Sequence, residues 1–230
     1  MNHLHERPDV AGRGEVSRRP DGRLFLSIDT WTDADFALLA ADMLPTLPRP
    51  LHTVVDEADT DLRARWEAVG FTPRRREREY VLPTAAGPAS PPPGVTIRPP
   101  SDPDLLRSLE TTIRAEVEAT IGWQEMPAEV MAPPLDLTKY TVAAAEDGYV
   151  GLLRLAAVTR RPRIGLLAVR ADRQRSGIGR ALLVHVLDTL HHKGIPAVTA
   201  EVNEANPAAL ALFEGAGARQ VGGNVELVLR

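Results

Sequence analysis

Apolar positions set the outline of the second half of the chain. Tyr140–Ala145 predicts a strand, Glu146-Asp147-Gly148 a tight turn and Tyr149–Val158 the returning strand. Arg163–Val169 adds a third strand and completes an antiparallel meander. The period then changes from 2 to 3.6: Ile178, Ala181, Leu182, Val186 and Leu190 mark one side of a helix that ends near Lys193-Gly194. Ala197–Val202 reads as a strand, Pro207–Glu214 as a short helix, and Ala218–Leu229 as a last hairpin. Upstream, Val95–Arg98 is a short strand. Ser101-Asp102-Pro103-Asp104 opens a helical stretch, read as two helices, that runs towards Ile121. The order βααβββαβαββ predicts an α/β (α+β) fold, a mixed, largely antiparallel sheet flanked by helices.

A boundary precedes this domain. Ala85–Gly94 reads AAGPASPPPG, where proline and glycine exclude both helix and ladder and favour an extended linker. The expected organisation is therefore 1–84, a linker at 85–94, and 95–230. The first part echoes the second. Val55–Asp59 parallels Val202–Asn206, Glu67 matches Glu214 and Gly70 matches Gly217, while Glu79, Val81 and Leu82 match Glu226, Val228 and Leu229. Ala37-Leu38-Leu39 matches Ala181-Leu182-Leu183, and Leu26-Ser27-Ile28 falls against Leu167-Ala168-Val169. Internal duplication follows.

Composition narrows the chemistry. With no cysteine among 230 residues, disulfides, thiol nucleophiles and thiolate metal sites are excluded, and His185, His191 and His192 lack the companions a metal site needs. A net charge of −4 offers no general attraction for nucleic acid or anionic membrane; the run Arg74–Arg78 is expected to be a solvated face. Met1–Pro20 carries charges throughout and no apolar core of a signal peptide, so a cytoplasmic location is expected. The weight of Ala, Arg and Pro hints at a GC-rich bacterial genome.

The informative segment is Leu166–Leu183. A strand runs into the loop Gln174-Arg175-Ser176-Gly177-Ile178-Gly179, which opens directly into a helix. Glycines let backbone approach a ligand closely, and the unpaired N–H groups of a first helical turn attract phosphate. Arg175 and Arg180 add cationic donors. A Walker loop would need a Gly-Lys-Ser/Thr ending, and a dinucleotide fingerprint a third small residue where Leu182 stands and a βαβ start; neither is present.

The pattern Gln-x-x-Gly-x-Gly at Gln174–Gly179 resembles the acyl-CoA signature of the GCN5-related N-acetyltransferase (GNAT) family. Asn206–Ala218, an Asn followed by a short helix, an aromatic and a closing glycine-hydrophobic pair, is similar to that family's later motif. The resemblance implies that acetyl-CoA is the acyl donor and that its pantetheine arm lies between splayed strands against Leu167, Ala168 and Val169. It also implies that amides from Arg175 to Arg180 hold the pyrophosphate, that the backbone near Val169 polarises the thioester, and that Asn206 and the helix carrying Phe213 complete the cofactor site. Relatives often place a tyrosine where this chain has Phe213, and a phenyl ring has no proton to give to a leaving thiolate. Relatives also often carry a glutamate on the strand equivalent to Arg163–Val169, which here has none. The candidate bases are Glu146, Glu201 and Glu118, with Glu116 beside the last. The family builds its acceptor pocket on the early helix and the loop 122–138, here holding Trp123, Glu125 and Met126. The first part of the chain has Asp33 and Asp35 in place of the phosphate loop, so it is expected to be a degenerate copy that binds no CoA.

The expected function is acetyl transfer to a primary amine of a small molecule by direct attack, without metal, nucleic acid or membrane, in a monomer or homodimer. Two alternatives stay open: a CoA-responsive regulatory protein with little turnover, and a protein or peptide N-acetyltransferase.

Overall fold

The computed structural model describes residues 3–6, 9–19, 21–85, 87, 90–122, 135–156 and 162–230. The first half of the chain supplies β1 (His3–Glu6), β2 (Gly12–Arg18), β3 (Leu24–Thr30), α1 (Asp33–Met43), β4 (Leu51–Asp56), α2 (Thr60–Ala68) and β5 (Thr72–Pro83). The second half supplies β6 (Thr96–Arg98), α3 (Pro103–Thr120), β7 (Tyr140–Ala145), β8 (Gly148–Ala156), β9 (Arg163–Val169), α4 (Ile178–His192), β10 (Ala197–Asn203), α5 (Pro207–Gly215) and β11 (Arg219–Leu229). The early helix is a single element, started by the Asp102 carboxylate accepting from the amides of Asp104 and Leu105, with Pro103 at its first position.

Two compact units emerge, one of Met1–Arg78 with Gly222–Arg230, the other of Glu79–Val221. Their borders are not those expected at 1–84 and 95–230. Both fall inside long strands, so the end of β5 belongs with the second unit and the end of β11 with the first. No hairpin forms at the C-terminus: Gly222 and Gly223 lie within β11. The reason is a close approach, since a Cβ on Gly223 would meet Glu57 Oε2 at 2.7 Å and the Glu77 carbonyl at 3.0 Å. The glycine there admits a neighbour and does not turn the chain.

In the first unit the strand order is β1-β2-β3-β4-β11-β5. β3 and β4 run parallel, joined through α1, and pair only at Leu24–Leu51 and Phe25–His52. One core packs α1 and α2 on this sheet around Phe36, Leu39, Trp66 and Leu227. Thr32 closes the start of α1, its hydroxyl accepting from the Asp35 amide at 3.1 Å. With Asp33 and Asp35 in the first turn, this helix end already has its oxygen acceptors and negative charge.

On this unit's sheet a carboxylate is buried among cations. Glu226 is 3% exposed, and its Oε1 lies 3.0 Å from His52 Nδ1 and 2.6 Å from Arg74 Nη1. Oε2 lies 3.1 Å from Arg75 Nη2. Arg74 and Arg75, expected on a solvated face, are 11% and 7% exposed at their side chains, because this carboxylate needs their charge. Burial alone would raise the Glu226 pKa, but the hydrogen bond with His52 and the charges of Arg75, Arg74 and Arg23 prevail and hold it at about 2. The folded value lies below that of a free carboxylate. The contribution to stability is therefore fully present above about pH 4.5 and lost as the pH falls towards 2, and amounts to about 3 kcal/mol. Glu226→Gln is expected to lower the unfolding free energy at pH 7 by about 3 kcal/mol and to flatten its fall below pH 4.5. Urea titrations at pH 7 and pH 3 measure both effects.

In the second unit the order is β5-β10-β9-β8-β7-β6. The meander β7-β8-β9 is antiparallel, and β9 leads through α4 to the parallel strand β10. One face packs α4 and α5 around Leu182, Val186, Val198 and Phe213, with Tyr80 and Leu82 of β5 in the same core. The other face packs α3 through Leu106, Leu109 and Ile113 against Tyr140, Val142 and Leu152.

Candidate functional site

The site starts where β9 leaves β10. The two strands pair at Arg163–Thr199 and Ile164–Ala200 only, and from Gly165 onward they part. On its other side β9 stays paired with β8 as far as Val169. Leu166–Val169 are half-buried, lining a gap with a strand edge open to an added extended chain. Glycine is required beneath it. A Cβ on Gly151 would stand 3.2 Å from the Ala168 carbonyl, Ile178 and Leu182, so β8 lets the start of α4 sit close over β9. Gly151→Val is expected to push α4 outward and lower stability by roughly 1–3 kcal/mol; denaturant unfolding reads the effect.

Beyond Val169 a short 3-10 helix, Ala171–Arg173, leads into the loop. Arg175 adopts φ 60° and Gly177 φ 89°, two left-handed residues that turn successive amides towards one side. Gly177 caps α4 with no side-chain acceptor, and the first helical bond is the Ala181 amide to the Gly177 carbonyl. The amides of Ile178, Gly179 and Arg180 are left to an outside acceptor, at the positive end of the helix dipole. Arg170 and Arg173 are tied to Asp147 and Asp172 at 2.8–3.5 Å, whereas Arg175 and Arg180 lie outside that network and are exposed. An anion here would meet backbone donors and two arginines. Ser176 is turned back, its hydroxyl donating to the Arg173 carbonyl. Gln174 also turns inward, its amide donating to the Val169 carbonyl at 3.0 Å. Its role in the geometry is to fix the strand end.

Asn206 caps α5, accepting from the Ala209 amide at 3.0 Å. Asp59 does the same for α2, accepting from Leu62 at 2.9 Å, so the repeated motif performs one local task in both halves. Phe213 is buried in the α4–α5 core and lies parallel to the Tyr80 ring at 6.4 Å, while the Tyr80 hydroxyl donates to Glu214 at 2.8 Å.

The structure does not gather the candidate bases. Glu146 is exposed in the β7–β8 turn, Glu118 is exposed on α3, and Glu201 on β10 is ion-paired with Arg163 at 2.8 Å. Glu116 is the member of this group that reaches the end of β9, accepting from the Ala171 amide at 2.9 Å. Trp123, Glu125 and Met126 lie outside the described residues. The sequence reading missed a buried polar group on the α3 face. Tyr140 donates to Glu110 at 2.7 Å, and Arg154, 6% exposed, sits beside Leu166 on the neighbouring strand. Burial first, and the Glu110 carboxylate next, push the Tyr140 hydroxyl up to about 12 against the opposing effect of Arg154. A lone arginine in the apolar strand VGLLRLA was the available signal. Among the described residues no three His, Asp or Glu side chains could hold a metal ion, and no helix is long and apolar enough to cross a membrane.

A sheet split beside an uncapped glycine-rich helix start offers an open strand edge and an anion cradle next to each other, a shape suited to an extended ligand that bears phosphate. Residues 109–218 match the model of the Acetyltransferase (GNAT) family. The ribosomal protein bS18-alanine N-acetyltransferase of Escherichia coli strain K12 is 47% identical over 51 residues, 22% of this chain and 34% of the relative. The Salmonella typhimurium enzyme of the same name is 45% identical over 51 residues. The chain thus covers about a third of the length of these curated relatives. Among solved structures, a GCN5-related N-acetyltransferase from Sphaerobacter thermophilus aligns with a TM-score of 0.71 at 20% identity, covering 95% of this chain and 76% of that one. A tandem GNAT protein from the clavulanic acid biosynthesis pathway aligns with a TM-score of 0.67 at 16% identity, covering 99% and 83%. These two likenesses are of fold.

Proposed function

We propose that the protein is an acetyl-CoA-dependent N-acetyltransferase acting on a primary amine of a small molecule in the cytoplasm. The observation that carries this reading is the parting of β9 from β10 directly ahead of three uncapped helix amides. The residues present fit the cofactor. The amides of Ile178, Gly179 and Arg180, with Arg175 and Arg180, would hold the pyrophosphate, and the open edge at Leu167–Val169 would pair with the pantetheine arm. Bound there, acetyl-CoA supplies an activated acetyl group as its thioester. The chain's own part is to orient that group at the end of β9 and to exclude water with Leu166 and Ala168. Phe213 offers no proton and the Tyr80 phenol donates to Glu214, which leaves water or another side chain to protonate the leaving thiolate.

The first half of the chain is read as a degenerate copy of the same fold that binds no CoA. Its parallel β3–β4 pair and two capped helices support the kinship, and the self-capped start of α1 with Asp33 and Asp35 supports the loss of phosphate binding.

A second acceptor class is favoured by one observation, the identity shared with an enzyme named for a protein's alanine terminus. Release of free CoA thiol, followed with a panel of small amines and of alanine-initiated peptides, tests both. Turnover with the amines alone supports the first reading and turnover with the peptides alone the second. Acetyl-CoA binding without turnover on any acceptor would leave a CoA-responsive binding protein.

A further inference from the structure

We propose that Glu116 is a positioning residue that sets the cofactor loop from the acceptor side of the fold; the inference rests on the acetyl-CoA reading of that loop. Glu116 projects from α3 at the border of the stripe buried through Leu106, Leu109 and Ile113, three residues after Ile113 and seven after Leu109. Its Oε2 accepts the amide of Ala171 at 2.9 Å, the first residue of the 3-10 turn that carries the chain from β9 into the phosphate cradle. That amide has no helical acceptor of its own, as with any first-turn donor, so α3 supplies one.

Other contacts fix the same stretch, among them the Arg170 amide donating to the Val150 carbonyl of β8 at 3.0 Å. Asp147, in the β7–β8 turn, holds Arg170 at 3.3 Å and Arg173 at 2.9 Å. Gln174 closes onto the Val169 carbonyl. Asp147 is exposed and bonds to that stretch through side chains alone, and Gln174 belongs to the loop itself. Glu116 differs from both, because it joins backbone of the loop to a separate helix. The amides of Ile178–Arg180 point at one spot only if the residues ahead of them are held, and a displacement near 1 Å at such a site costs heavily. Glu116 therefore tunes affinity for the phosphate end of the cofactor, and through α3 any movement of that helix reaches the loop.

The test compares Glu116→Ala with Glu116→Gln in the full chain. Glutamine keeps a carbonyl oxygen at the same reach and can still accept from Ala171; alanine cannot. Calorimetry with CoA comes first on the unaltered protein, and absence of binding there would remove the underlying reading itself. Given binding, Glu116→Ala is expected to raise the CoA Kd and the acetyl-CoA KM about five- to twentyfold and leave kcat within about twofold, in line with loss of one charge-assisted hydrogen bond at a half-buried site. Glu116→Gln is expected to recover most of that affinity, and amide hydrogen exchange at Ala171 to be faster in the alanine variant alone. An alanine variant with unchanged Kd, or one that loses kcat with KM intact, overturns the proposal. The second outcome would place Glu116 in proton transfer.

Discussion

A chain beginning at Val95 is expected not to fold to a native GNAT domain, even though it contains every residue of both cofactor motifs. The second unit includes Glu79–Pro83 of β5. Tyr80 is 1% and Leu82 0% exposed in the core beneath α4 and α5, and β5 is the neighbour of β10 in the sheet. Removing a buried aromatic costs about 3–5 kcal/mol and a buried leucine about 2–5 kcal/mol. A domain's whole stability is about 5–15 kcal/mol. The cut also exposes the edge of β10 and leaves Glu214 without its tyrosine. Near-ultraviolet circular dichroism of the fragment is expected to lack fixed tertiary signals while helical far-ultraviolet signal persists. In the full chain, Tyr80→Ala alone is expected to lower the unfolding free energy by about 3–5 kcal/mol. A native, cooperative fragment would show that β5 is dispensable.

Gly177→Glu should abolish acetyl-CoA binding while leaving a folded protein. Gly177 caps α4 at φ 89°, where an L-residue is strained by about 1–2 kcal/mol, and a Cβ there would meet nothing within 4 Å. The new side chain thus has space in the fold, but its carboxylate stands at the helix start where phosphate would lie, among the amides of Ile178–Arg180. It repels the ligand and engages Arg175 and Arg180. A hundredfold or greater loss is expected, about 3 kcal/mol or more. Thermal unfolding reads it: a ligand at a hundred times its Kd stabilises the native state by about 2.7 kcal/mol, and that shift should vanish in the variant. A variant that still gains stability from acetyl-CoA would place the cofactor elsewhere.

Much of the second half was legible in the sequence because its signals are local. The switch of period at Val169–Ile178, the glycines at 177 and 179, and the Asn206-Pro207 helix start are each set by residues near in sequence, and the structure forms those elements. What stayed hidden depends on residues far apart. The exchange of strand ends between the two units is a tertiary event; β5 and β11 each look like the last strand of their own repeat. Ala218–Leu229 reads as a hairpin, and only the presence of Glu57 and the Glu77 backbone shows why glycine is needed at 223 inside a strand. The burial of Arg74 and Arg75 follows from Glu226, about 150 residues away. Glu116 and Glu118 are indistinguishable by composition, and the helical phase that turns one towards Ala171 and the other to solvent is visible only once α3 is seated.

The central claim is that the parted strands and the loop at Gln174–Arg180 hold acetyl-CoA. Calorimetric titration of acetyl-CoA into the intact, unaltered protein tests it most directly. The expected result is a single site per chain with a Kd in the micromolar range, roughly −8 kcal/mol. Absence of heat at millimolar acetyl-CoA, under conditions where the protein is folded, would contradict it.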